Sequence, residues 1–209
     1  WGEQAYHSNE EVAGIEARED GGTPPFLQTI RAALSVKLKE SMGMKKIMRR
    51  EEELLEIIFD EFKKIPNLNI LSGDQKKRMG VVSFIIQGLH YNLGVKLLND
   101  HFGIQVRGGC ACAGPYGHCL LNIGEDKSNK IASQIDKGNL SMKPGWIRLS
   151  IHPIMTDDDL EFICDSLESL VKYHKIWSED YEYNKRTNEY THKECRFSEL
   201  DMVNKWFSF

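Results

Sequence analysis

Nothing in this sequence of 209 residues approaches the ~20 consecutive apolar residues of a membrane-spanning helix. The opening Trp1-Gly2-Glu3-Gln4 lacks the basic and apolar regions of a secretory signal. Excess positive charge is missing too: 27 Lys and Arg stand against 31 Asp and Glu, and the Lys-rich stretch from Lys45 to Glu56 carries its own acids. No basic field is therefore on offer to nucleic acid. Five cysteines are an odd count at uneven spacing, which argues against a secreted disulfide framework and for free thiols in a reducing, cytoplasmic setting. No internal repeat or low-complexity tract is present, and no initiator Met, which hints at a piece of something longer. With 41% hydrophobic and 28% charged residues, the chain can bury a substantial core, as one domain or a domain with an extension.

Residues 1–22 are polar and aperiodic and end in Asp20-Gly21-Gly22-Thr23-Pro24-Pro25, a surface segment leading into a helix near Pro25. Leu27, Ile30, Leu34 and Leu38 recur at helical spacing, Gly43 interrupts, and Ile47, Leu54, Leu55, Ile58 and Phe62 continue to Pro66. Two helices in series are predicted. Leu68–Leu71 and Val81–Ile86 read as antiparallel strands about a polar turn, followed by a helix over Asn92–His101. Ile104-Gln105-Val106 reads as the next strand, residues 125–137 as a solvated helix burying Ile131 and Ile135, and Trp146–Ile151 as another strand. Thr156 with Asp159 is a capping box for a helix with Leu160, Ile163, Leu167, Leu170 and Val171 on its inner face. Alternating aromatics over Tyr181–Tyr190 predict a hairpin, and Phe197–Phe207 a closing helix. The fold class is α+β, a mostly antiparallel sheet covered by helices.

The candidate chemistry lies in two segments. Arg107-Gly-Gly-Cys-Ala-Cys-Ala-Gly-Pro-Tyr-Gly-His118 is a cationic, flexible, thiol-bearing loop, and Trp146-Ile-Arg148-Leu-Ser-Ile-His152 places an arginine in a short apolar strand. Together they suit a small substrate with a carboxylate and a reactive side chain, as one half of an active site. For each residue a plainer role stands beside the functional one. Thr23 could cap a helix beginning at Pro24 or Pro25. Arg148 could point from an edge strand into water. Cys110, Cys112, His118 and Cys119 could bind zinc, although Cys-x-Cys and adjacent His118-Cys119 are poorly spaced for a tetrahedron. Cys164, in a helical stripe, reads as a small core residue.

Arg18-Glu-Asp-Gly-Gly-Thr-Pro24, the stretch His90–Ala113 and Arg148-Leu-Ser150, in this order, resemble the C-terminal part of class V aminotransferases. These are pyridoxal-phosphate (PLP) enzymes that include cysteine desulfurases and selenocysteine lyases. The resemblance covers roughly residues 16–176. It implies the small C-terminal domain of the aspartate aminotransferase-like PLP fold. By it, residues 1–27 are a remnant of the large domain with an interdomain segment, 28–176 the small domain, and 177–209 a hairpin and helix extension. Gly22 and Thr23 would hold the cofactor phosphate of a neighbouring subunit, Arg148 would grip the substrate carboxylate, Arg107 would set the loop and lower its thiol pKa, and Cys112 would be the nucleophile. No metal is implied. The partners implied are an amino-acid substrate, the large domain and a second subunit.

The family holds PLP on a lysine that follows His or Ser and precedes a Gly-Pro pair, and no lysine here has that setting. His174-Lys175 and His192-Lys193 lack the following Gly-Pro. The chain alone is therefore expected to be unable to link PLP covalently and to be inactive. The alternatives are a natural truncated, non-catalytic subunit that binds a partner, and a zinc-binding module.

Overall fold

The computed structural model describes residues 15, 19, 21–109, 114–194 and 199–208. Cys110, Cys112, Cys195 and the Arg18–Asp20 part of the N-terminal motif, apart from Glu19, lie outside the described residues. The chain divides into two compact units, Trp1–Ile47 and Met48–Phe209.

In the first unit, α1 runs Phe26–Met42 and ends where Gly43 takes a positive φ of 84°, a conformation glycine adopts without strain. It buries none of its side chains. The stripe Leu27, Ile30, Leu34 and Leu38, regular in sequence, stays open to solvent.

Helix α2, Met44–Phe62, contributes Leu54, Leu55, Ile58, Phe59 and Phe62 to the core of the second unit. Four strands follow in the sheet: β1 (Leu68–Ile70), β2 (Val81–Ile86), β3 (Arg107–Gly109) and β4 (Trp146–Ser150), in the antiparallel order β1-β2-β4-β3. Side chains alternate between faces. Val82, Phe84, Ile86, Ile147 and Leu149 point to the buried side, where they meet α2, α3 (Tyr91–Phe102) and α6 (Asp157–Trp177). Phe62 meets Phe84 edge-on at 5.5 Å, a favoured aromatic geometry. The Thr156–Asp159 capping box forms, with both reciprocal hydrogen bonds, and Leu160, Ile163, Cys164, Leu167 and Leu170 of α6 are buried.

Two short helices, α4 (Gly114–Leu120) and α5 (Glu125–Asp136), connect β3 to β4. After α6 and a single 3-10 turn come the hairpin β5 (Tyr181–Asn184) and β6 (Glu189–His192), and α7 (Glu199–Trp206). Among the described residues no helix is long and apolar enough to cross a membrane.

The structure corrects two expectations and adds one element. The third strand lies at Arg107–Gly109 instead of Ile104–Val106. Ile104 and Val106 pack against the core as an extended lead-in, and the ladder to β4 begins at Arg107. Ile135 is 38% exposed, so α5 buries Ile131 alone. Helix α4 was not foreseen, since its Gly-Pro opening and two glycines give no helical periodicity.

Candidate functional site

The sheet face turned away from the core carries the two candidate arginines. Strand register pairs Arg148 with Ser83 on one side and with Arg107 on the other, so the three share a row on that face. Arg148 is half-buried and Arg107 exposed, whereas Trp146 on the same face of β4 is buried. The reading of Arg148 as a freely exposed edge residue does not hold, because β4 is a central strand.

Two cations directly opposite in an antiparallel pair repel. Neither guanidinium has an ion-pair partner among the described residues, and Arg148 Nε is buried without a hydrogen bond. A planar, desolvated donor left unsatisfied beside a second cation is the donor set that a carboxylate completes. Next to this row lies an open groove of about 420 Å³ lined by Leu71, Ser83, Met79, Tyr116, Leu120 and Trp146. A small amphipathic ligand fits that size and lining.

The exit of β3 is built on two glycines. A Cβ at Gly108 would meet Asn92 Oδ1 at 2.8 Å and Val95 at 2.9 Å, and Gly109 has a φ of 116°. Both positions therefore require glycine. The chain then enters residues 110–113, which include Cys110 and Cys112 and are not described.

His118, considered above as a zinc ligand, is engaged otherwise. Its Nδ1–H donates to the Gly114 carbonyl at 2.7 Å, and its Nε2 shares a hydrogen bond with the Ser128 hydroxyl at 3.0 Å. Cys119 is an exposed free thiol and Cys164 a buried one. Burial, followed by the charges of Glu61 and Asp165, pushes the Cys164 thiol up to about 11. That sulfur is inert at neutral pH.

Gly22 and Thr23 belong to the first unit and are exposed. Helix α1 is capped at Pro25 with no side-chain hydrogen bond, so Thr23 does not cap it. Among the described residues the Thr23 hydroxyl has no partner and is free to meet an anion. Of the two His-Lys pairs, Lys175 is exposed near the end of α6, and Lys193 is exposed with its ammonium donating to the Glu179 carbonyl. The described residues thus leave an unsatisfied guanidinium donor at Arg148 and an exposed hydroxyl at Thr23. They do not offer a buried lysine in either pair. Beyond the sequence motifs, Ser83 joins this face, where only strand register places it.

A family model described as Aminotransferase class-V matches residues 3–163. A probable cysteine desulfurase of Halobacterium salinarum is 31% identical over 104 residues, covering 50% of this chain and 25% of that protein. One from Staphylococcus epidermidis is 30% identical over 103 residues, covering 49% and 25%. Among solved structures, the apo cysteine desulfurase of Thermococcus onnurineus aligns with a TM-score of 0.56 at 25% identity over 79% of this chain and 36% of that chain. A cysteine desulfurase of Escherichia coli gives 0.57 at 17% over 75% and 33%, which speaks to the fold alone. The chain spans about a quarter of the length of these curated relatives and about a third of these solved chains.

Proposed function

Because the chain belongs to the class V aminotransferase family, whose fold it shares, we propose that it forms the carboxylate-binding wall of a cysteine desulfurase-like PLP site acting on a small amino acid. The observation that carries this is the Arg107–Arg148 pair, directly opposite in register and without an anionic partner among the described residues, with Arg148 Nε buried and unsatisfied. Arg148 takes the substrate carboxylate through its planar fork. Arg107 holds positive potential where the chain leaves β3, which favours the thiolate of Cys112. That thiolate accepts the substrate sulfur: an S–S bond forms, the C–S bond breaks, and the electron pair stays on carbon. Gly22 and Thr23 hold the cofactor phosphate of a neighbouring subunit. PLP, when bound, supplies the electron sink at the substrate Cα.

In this reading residues 1–27 go with a large domain, 28–176 form the small domain, and 177–209 are an extension. The lysine that holds PLP comes from outside these residues. The working assembly is a cytoplasmic homodimer, and the 209 residues alone are inactive. A non-catalytic partner-binding role is the second reading, supported by the unburied apolar side chains of α1.

Two measurements on the 209-residue chain test the first reading. Mixing with PLP, reducing with borohydride and mapping adducts by mass spectrometry is expected to label no single lysine to completion. One fully labelled lysine would overturn the claim that the chain cannot link PLP covalently. Alkylation of Cys112 against pH is expected to show a thiol titrating below the ~8.5 of a free cysteine. A value at or above that removes Cys112 as the nucleophile.

A further inference from the structure

The family match stops at residue 163, yet the chain beyond it bonds back to α3, the helix that packs against the strands carrying the arginines. Asn188, buried and left-handed at φ 63°, ends the turn between β5 and β6. Its Nδ2 donates to the Tyr91 hydroxyl at 2.6 Å, and its Oδ1 accepts from the Tyr183 hydroxyl at 2.8 Å. Its carbonyl accepts from Asn92 Nδ2, and its N–H donates to the Asn184 carbonyl at 2.8 Å. A hairpin turn needs only the backbone part of this. The side-chain bonds reach α3.

Tyr91 carries the connection onward. A Cβ on Gly145 would fall 2.5 Å from its ring, and one on Gly108 3.2 Å. The ring therefore lies directly on the backbone of the residue after Arg107 and of the residue before Trp146, with no side chain between. His90 stacks on the same ring at 4.5 Å, and Tyr183 and Tyr190 close around His90 at 5.5 and 5.4 Å. Close-packed contacts of this kind transmit small displacements.

We propose that the C-terminal hairpin is a positioning element of the carboxylate site: Asn188, through Tyr91, fixes the backbone at Gly108 and Gly145 and thereby the aim of the Arg107–Arg148 pair. Tyr91 and Asn188 are positioning residues. The proposal rests on the reading of Arg148 as the carboxylate-binding residue.

The test uses the ¹⁵N-labelled 209-residue chain and three variants. Tyr91→Phe removes one oxygen, Asn188→Gly keeps the left-handed turn but deletes the side chain, and Asn188→Asp keeps the acceptor for the Tyr183 hydroxyl and puts a second acceptor where Nδ2 donated to Tyr91, whose hydroxyl then donates. The readouts are far-UV circular dichroism, the Arg148 Nε–H and the Gly108, Gly109 and Trp146 amide resonances, and the affinity for L-alanine as an amino-acid carboxylate probe. Tyr91→Phe and Asn188→Gly are expected to stay folded, to shift those resonances and to bind L-alanine at least fivefold more weakly, with Asn188→Asp within twofold of wild type. Folded variants whose resonances and affinity match wild type overturn the proposal. If wild type does not bind L-alanine, the carboxylate reading fails, and the resonance shifts alone then decide the positioning claim. If Asn188→Gly does not fold, Tyr91→Phe carries the decision.

Discussion

Replacing Arg148 with methionine should make the protein more stable. The guanidinium is half-buried, its Nε is desolvated and unbonded, and Arg107 stands directly across the ladder. A buried donor without a partner costs about 1–3 kcal/mol, and a like charge directly opposite adds up to about 1 kcal/mol. Methionine keeps the apolar stem and removes both penalties. Allowing for the partial exposure of the rest of the side chain, Arg148→Met is expected to gain about 1–3 kcal/mol. For a unit of this size each kcal/mol moves the thermal midpoint by about 2–4 °C, so scanning calorimetry should find a rise of a few degrees. Saturating L-alanine should then raise the wild-type midpoint, by about 2.7 kcal/mol equivalent at a hundredfold excess over Kd, and leave Arg148→Met unmoved. A variant destabilised by 1 kcal/mol or more would show that Arg148 serves the fold, and the inference to a ligand would fail.

Gly145→Ala forces a methyl into the Tyr91 ring at 2.5 Å and should cost about 1–3 kcal/mol by overpacking, read from the urea midpoint. Iodoacetamide at neutral pH should modify exposed Cys119 and spare Cys164, whose thiol burial pushes up to about 11. Peptide mapping should find Cys164 labelled only in denaturant. Asp159 is held below its ordinary carboxyl value of 3.8 by the Thr156 N–H and then its hydroxyl. A depressed folded pKa contributes stability above the unfolded value and loses it as pH falls through the folded one. Denaturant midpoints at pH 6 and pH 3 should therefore differ less in Asp159→Asn than in wild type.

Helices α2 and α6 were legible because their apolar residues repeat at helical spacing and one opens on a capping box that the structure reproduces. The β3 position was not. Its Arg-Gly-Gly sequence has no strand propensity, and it pairs because α3 crowds Gly108 and β4 supplies the ladder. Ile135 shows the reverse error, an apolar residue at a core-like spacing with nothing to pack under it. Arg148 and Arg107 were visible as residues. Their direct pairing, and Ser83 beside them, follow only from register. Tyr91 and Asn188 lie 97 positions apart, and no local pattern connects them.

The most direct test of the half-site is the Arg148 Nε–H resonance of the labelled chain, titrated with L-cysteine and, separately, with cysteamine, which has the same thiol and amine without the carboxylate. Arg148 is predicted to shift saturably with L-cysteine and not with cysteamine. Equal shifts with both, or no shift with L-cysteine at millimolar concentration, would contradict the assignment of this face to an amino-acid carboxylate.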